Sequence, residues 1–325
     1  MKILVTGATG FVGSHLTDKL VADGHEIFSL IRSETKAKSF NTKGQYVIGS
    51  LSSKEKLSWI NELPEDLDAV IHTAGIVHAS DIKVFEEINF LATKNLTEQL
   101  SNKYNKLHFT FISSLAAGGP SSPSKMRTEK MQDSPVSAYG VSKKVTEEYF
   151  SKELPTNWTY NCIRPPMVIG PRDPAVLDVF KMVKSGLIVG PGLDFKTKEY
   201  SFVCVHDLVD AIILLATKKS SGTYYVGHDE VITFEKLIKT IQVELNKKLV
   251  FNLPIPTPLL SVAANIVALL PIPNRLTKDK VNELVQTAWS CDNELLKSNL
   301  GFLPKWDIQK TVALTAKDYR ERKWL

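Results

Sequence analysis

Thr6-Gly7-Ala8-Thr9-Gly10-Phe11-Val12-Gly13 decides the fold of this chain, because of what flanks it. Before it, Lys2-Ile3-Leu4-Val5 is a short apolar run rich in β-formers. After it, Val12, Leu16, Leu20 and Val21 recur at helical spacing between Phe11 and Ala22. The order is strand, tight turn, helix. Glycine meets two needs in such a turn: backbone angles that a Cβ would obstruct, and close approach of phosphate to main-chain N–H groups. A helix opening near Phe11 aims its unpaired amides and positive dipole end at an anion. The spacing of Gly7, Gly10 and Gly13 therefore predicts a dinucleotide site at the first turn of the chain.

Working outward, strand-like and helix-like segments alternate, the pattern of a doubly wound parallel sheet. The strands are expected at Ile3–Val5, Glu26–Ile31, Tyr46–Ile48, Ala69–His72, His108–Ser113 and Tyr160–Arg164. The alternation breaks near Pro165. The expected class is α/β: a Rossmann-type doubly wound parallel sheet over residues 1–165, with returning segments near 200–230. Residues 166–325 form mainly a smaller, mixed α/β substrate domain.

Composition narrows the class of protein. The chain has 325 residues, 43% hydrophobic and 23% charged, long enough for one large domain and a smaller partner. Its formal charge of +5 is spread along the sequence, which argues against nucleic-acid binding. Cys162, Cys204 and Cys291 stand apart, and neither they nor His72, His78, His108, His206 and His228 have metal-ligand spacing, so no metal is expected. The N-terminus lacks a basic and apolar leader, giving the expectation of a cytoplasmic protein without a transmembrane segment.

A second constellation lies at Tyr139-Gly140-Val141-Ser142-Lys143, preceded by Ser113-Ser114 at the end of a strand. Residues four apart share a helix face, so Tyr139 and Lys143 can enter one cleft. A phenol titrating at about 10 is a poor base near neutrality, and a neighbouring ammonium favours its phenolate. Tyr139 can then pass a proton to or from a substrate oxygen held by a serine hydroxyl, while hydride moves at carbon.

Together these residues resemble the extended short-chain dehydrogenase/reductases, of the NAD-dependent epimerase/dehydratase family and its 3β-hydroxysteroid dehydrogenase-like branch. Gly7, Gly10 and Gly13 match the family's TGxxGxxG turn, and His72-Thr73-Ala74-Gly75 resembles its HxAA segment. Asn89 matches its N-x-x-G-T element, with Ala92 in place of glycine. Ser113-Ser114 to Gly119 matches its serine block, although Gly118 replaces a tyrosine. Arg164 to Pro171 resembles the strand under the nicotinamide, and His206-Asp207 the start of a later helix, where Asp207 is expected to act as N-cap.

The resemblance implies roles. Ser114 orients the substrate oxygen, Tyr139 is the acid/base, and Lys143 sets its pKa and holds the nicotinamide ribose. Thr9, Phe11 and Val12 meet the pyrophosphate through the backbone; Thr73, Ala74 and Gly75 cover the adenosine side, with Leu51. Ser113, Asn89, Pro165 and Val168 complete the cofactor-binding set. Asn89 has a second reading, an amide that satisfies neighbouring backbone. Family habit implies a homodimer through the helices bearing Asn89 and Tyr139.

Cofactor preference turns on the end of the second strand. NAD enzymes place an acid there for the ribose hydroxyls, whereas this chain has Ile31, then Arg32. The cationic fork of Arg32, with Lys36 near, suits a 2′-phosphate and favours NADP over NAD; stacking on adenine is the other reading for Arg32. Relatives acting on nucleotide sugars carry an arginine seven residues before the aspartate that Asp207 matches, and here Tyr200 occupies that place. Lys198 is close, as a looser point charge, and Arg275 is more distant.

Pro258 to Pro271 is apolar nearly all round and too short to span a bilayer, which takes about 20 residues. Three readings stand: a core helix or dimer surface, the wall of an apolar pocket, or contact with a membrane surface. The expected protein is an oxidoreductase of a secondary alcohol or ketone on an apolar, ring-sized, sterol-like substrate. Its rivals are a nucleotide-sugar 4-epimerase and a non-catalytic dinucleotide-binding scaffold.

Overall fold

The computed structural model describes residues 1–79, 81–260 and 277–325. The apolar run from Pro258 lies outside them beyond residue 260, as does Arg275. The strands in chain order are β1 (Lys2–Thr6), β2 (Glu26–Ile31), β3 (Gln45–Ile48), β4 (Ala69–His72), β5 (His108–Ile112) and β6 (Thr159–Arg164). They continue as β7 (Met167–Ile169), β8 (Leu187–Pro191), β9 (Glu199–Cys204), β10 (Gly222–Tyr225), β11 (Val231–Thr233), β12 (Phe251–Ile255) and β13 (Ala288–Trp289).

The chain divides into two compact units. The first comprises Met1–Ala117, Ala138–Arg164 and Val209–Tyr224; the second takes Gly118–Ser137, Pro165–Leu208 and Tyr225–Leu325. In the first, seven strands run in the order β10-β6-β5-β4-β1-β2-β3. The pairs β1/β2, β2/β3, β1/β4, β4/β5 and β5/β6 are all parallel. Strand order reverses at β1, between β2 and β4, and open sheets of this kind bind ligands beyond the carboxyl ends of the strands at such a switch point. Strands β1, β4 and β5 are buried along most or all of their length, hence their continuous apolar runs. Leu4, Val70, Leu96, Phe109, Phe111, Phe150 and Trp158 share one core.

In the second unit β9 runs antiparallel to β11 and parallel to both β13 and β7. Strands β8 and β12 form a separate two-stranded parallel ribbon. Phe180, Phe202, Ile232, Ile241, Val312 and Tyr319 fill this unit's core.

Candidate active site

The turn between β1 and the helix Phe11–Ala22 is built on glycine by necessity. Gly7 has φ +70°, and a Cβ there would stand 2.6 Å from Thr73 Oγ1 and 2.7 Å from the Ala74 amide nitrogen. On Gly13 a Cβ would stand 2.2 Å from the Gly7 carbonyl oxygen, which is backbone and cannot swing aside. The Gly10 amide donates to the Gly7 carbonyl at 2.8 Å and closes the turn. Gly10 is the N-cap of the helix and offers no side-chain acceptor, and the first helical turn carries no acid. The opening amides at Phe11, Val12 and Gly13 therefore have the donor chemistry that a pyrophosphate accepts. The Thr73 hydroxyl donates to the Thr6 carbonyl at 2.7 Å and ties the end of β4 beside the turn.

A second group converges past the ends of β4 and β5. Asn89 is buried in a π-helical turn, Glu86–Leu91, a local widening frequent at functional sites. Its Oδ1 accepts from the Ile76 amide at 2.9 Å, and its Nδ2 donates to the Ile76 carbonyl and the Ser142 hydroxyl, both at 3.0 Å. The Ser142 hydroxyl in turn donates to the Tyr139 carbonyl at 2.7 Å. Asn89 thus pins the Gly75-Ile76 segment and the helix Ala138–Glu153 to one another. A Cβ on Gly75 would lie 3.0 Å from Asn89 Oδ1 and 3.2 Å from Lys143 Nζ, so glycine permits this approach.

Lys143 is buried, donates to the Ile112 carbonyl at 2.8 Å, and lies 4.6 Å from the centroid of the Phe111 ring. Burial lowers its pKa to about 8, against the opposing pull of the Glu147 carboxylate. Tyr139 lies one turn earlier, half-buried, its ring 6.0 Å from that of Phe85. Ser113 is buried with no hydrogen-bond partner for its hydroxyl among the described residues, whereas the half-buried Ser114 accepts from the Ala116 amide at 3.1 Å. A glycine-lined anion cradle, an orphaned hydroxyl and a buried ammonium have the chemistry to hold a dinucleotide.

Other expected residues fall as follows. Arg32 is exposed immediately beyond β2, and Lys36 lies 5.8 Å over the Phe40 ring. Leu51 packs against the core of the first unit. Pro165 and Val168 belong to the second unit, where Val168 pairs with Val203. Asp207 does not act as the expected N-cap. It sits inside the helix Val205–Thr217, and its carboxylate accepts from the Lys305 and Trp306 amides, each at 3.0 Å. Tyr200 is ring-packed against Phe234 at 6.2 Å, with its pKa pushed up to about 12 by burial. Lys198 is buried and donates to the Leu284 carbonyl.

Glu147 and Arg164 form a pair that sequence pattern alone does not reveal. Glu147 lies one helical turn beyond Lys143 and forms a buried ion pair with Arg164, whose Nε donates at 3.0 and 3.1 Å and whose terminal nitrogen also contacts the carboxylate. The four-residue spacing from Lys143 was the available signal. His72 is a satisfied core residue: its two ring nitrogens meet Thr6 Oγ1 at 2.8 Å and Thr93 Oγ1 at 2.9 Å.

Fold and site together define a dinucleotide-dependent oxidoreductase of the extended short-chain type, and comparison with known proteins agrees. Residues 3–227 match the NAD dependent epimerase/dehydratase family, to which this chain belongs. The chain is 24% identical to ceramide reductase of Caulobacter vibrioides, with 99% of this chain and 96% of that protein covered. It is 25% identical to sterol-4-alpha-carboxylate 3-dehydrogenase, decarboxylating, of Bos taurus, over 74% of this chain and 69% of that one. The UDP-glucose 4-epimerase of Thermus thermophilus, solved in complex with NAD, shares the fold with a TM-score of 0.78 at 23% identity, covering 98% of this chain and 99% of that chain. UDP-glucose 4-epimerases recur among further relatives.

Proposed function

We propose that this chain is an NADP(H)-preferring dehydrogenase or reductase that interconverts a secondary alcohol and a ketone on an apolar, ring-sized, sterol-like substrate. The observation that carries the chemistry is the buried Lys143 ammonium, held at the end of β5 one helical turn from Tyr139. When bound, the nicotinamide supplies or accepts the hydride. Tyr139 gives a proton to the carbonyl oxygen in reduction and takes it from the hydroxyl in oxidation. Lys143 stabilises the phenolate and holds the ribose, and Ser114 orients the reacting oxygen. Asn89 keeps the Gly75-Ile76 segment close to Lys143.

The substrate class rests on different support. Where nucleotide-sugar enzymes have an arginine, Tyr200 offers no bidentate cation, and the Lys198 ammonium is already committed to a backbone carbonyl. Two relatives named for lipid substrates, one of them matching nearly end to end, support an apolar molecule. The exposed Arg32 beyond β2, where an acid would repel a 2′-phosphate, supports NADP(H). A second reading, a nucleotide-sugar 4-epimerase, is favoured by the epimerases among the relatives; it predicts UDP binding and no net cofactor turnover.

One experiment tests both parts. Nicotinamide fluorescence is titrated with NADPH and NADH, and absorbance is then followed with hydroxysteroids, keto-lipids and UDP-sugars. The expected result is tighter NADPH, an affinity that Arg32→Ala lowers about tenfold without affecting NADH. Tyr139→Phe should retain cofactor and lose roughly a hundredfold or more in turnover. Tighter NADH overturns the cofactor preference; wild-type turnover by Tyr139→Phe overturns the mechanism; turnover of UDP-sugars alone selects the epimerase.

A further inference from the structure

The ribbon of β8 and β12 has two unlike faces. In its parallel register Phe251 stands opposite Leu187, and Leu253 opposite Val189. These four point outward, with Phe251 69%, Leu253 52%, Leu187 45% and Val189 37% exposed. Leu249, at 71%, precedes them at the same period of two, and Leu193, at 79%, follows where the Gly192 amide closes the ribbon on the Ile255 carbonyl. On the opposite side Ile188 is fully buried, and Val250 packs against the core of the second unit. The outward face is therefore an apolar patch carried by the second unit, of the kind that marks an interaction surface.

Lysines outnumber acids in the segments that carry it. Residues 181–193 and 245–260 contain Lys181, Lys184, Lys247 and Lys248; the acids that bound them are Asp194, exposed beside Leu193, and Glu244, which is paired with Arg320. Lys181, Lys184 and Lys248 are exposed. Lys247 reaches across the ribbon, its Cε 3.2 Å from where a Cβ on Gly186 would stand.

We propose that this face docks on the surface of a lipid bilayer containing anionic lipids, with the apolar side chains entering the headgroup boundary and the lysines meeting lipid phosphates. Apolar burial and electrostatic attraction add in such binding. Two alternative occupants fit less well. A second copy of the chain packed two-fold on this face would bring its own four lysines against these. A partner adding a β-strand meets Pro191 and Pro254, one on each strand, which interrupt the row of backbone donors. The inference rests on the second unit alone and stands whatever reaction the first one performs.

The test is co-flotation of the full-length protein with vesicles of phosphatidylcholine alone and of phosphatidylcholine with phosphatidylglycerol, at low and high salt. Binding is expected to the anionic vesicles and to weaken with salt. It should fall roughly a hundredfold in Phe251→Glu/Leu253→Glu and about fivefold for each lysine changed to glutamine. Circular dichroism and NADPH titration identify a misfolded variant, and Leu193→Glu with Leu249→Glu is then the replacement pair. Absence of wild-type binding, or equal binding by the folded apolar variants, overturns the proposal. So does a wild-type dimer in sedimentation that these variants convert to monomer without vesicle binding.

Discussion

Lys143 and Lys198 are both buried lysines that donate to a backbone carbonyl, and burial pushes both below the ordinary lysine value. Their surroundings differ. In the first unit Lys143 stands among groups that converge on one place: Gly75 leaves space beside it, Asn89 fixes the Gly75-Ile76 segment, and Tyr139 lies one turn away. In the second unit polar groups act as fasteners. Lys198 holds Leu284, Asp207 holds Lys305 and Trp306, and the Arg127 guanidinium donates to the Pro120 and Gln132 carbonyls. A buried lysine is gathered with a tyrosine and a glycine gap past the ends of the parallel sheet in one unit, and fastens an irregular segment in the other.

That contrast can be broken by substitution. The largest effect is expected at the glycine turn, where Gly13→Ala drives a Cβ against the Gly7 carbonyl. Unfolding by denaturant should show a loss of roughly 3 kcal/mol, and NADPH binding should disappear from fluorescence titration. Asp207→Ala orphans two amides and should cost about 2 kcal/mol in the same assay while leaving cofactor affinity unchanged. A parallel drop in affinity would show that this fastener also serves the cofactor site.

The smallest effect concerns pH. Burial lowers the pKa of His72 from 6.5 to about 3, so as pH falls through that interval the unfolded chain takes up a proton that the folded chain refuses. Stability should fall by about 1 kcal/mol for one unit of acidification below pH 6.5. His72→Gln should remove that slope, leaving the share due to His108, which burial and Lys219 lower to about 4. An unchanged slope in His72→Gln would mean that the Thr6–His72–Thr93 network opens to water.

Legibility differed between the units for a physical reason. Strands β1, β2, β4, β5 and β6 announce themselves because a sheet covered on both faces needs continuous apolar β-formers, and the glycine turn because only Gly tolerates φ +70° against Thr73. Strand β9 is not legible in the sequence. Glu199-Tyr200-Ser201-Phe202-Val203-Cys204 mixes polar and apolar residues, and its strand character depends on β7, β11 and β13, which are distant in sequence. Asp207 looked like a cap because aspartate near a helix start usually is one; its amide partners lie about a hundred residues further on.

The order of residues alone determined the glycine turn, the Tyr139–Lys143 helix face and the parallel alternation, since each depends on neighbours within one or two turns of chain. Tertiary structure decided the rest. It set Asn89 in a π-helical turn against Ile76, buried Lys143 against Ile112, paired Glu147 with Arg164, and turned Leu187, Val189, Phe251 and Leu253 outward on a ribbon edged with lysine. Burial and long-range hydrogen bonds are properties of segments brought together from far along the chain, and no local pattern encodes which of them will meet.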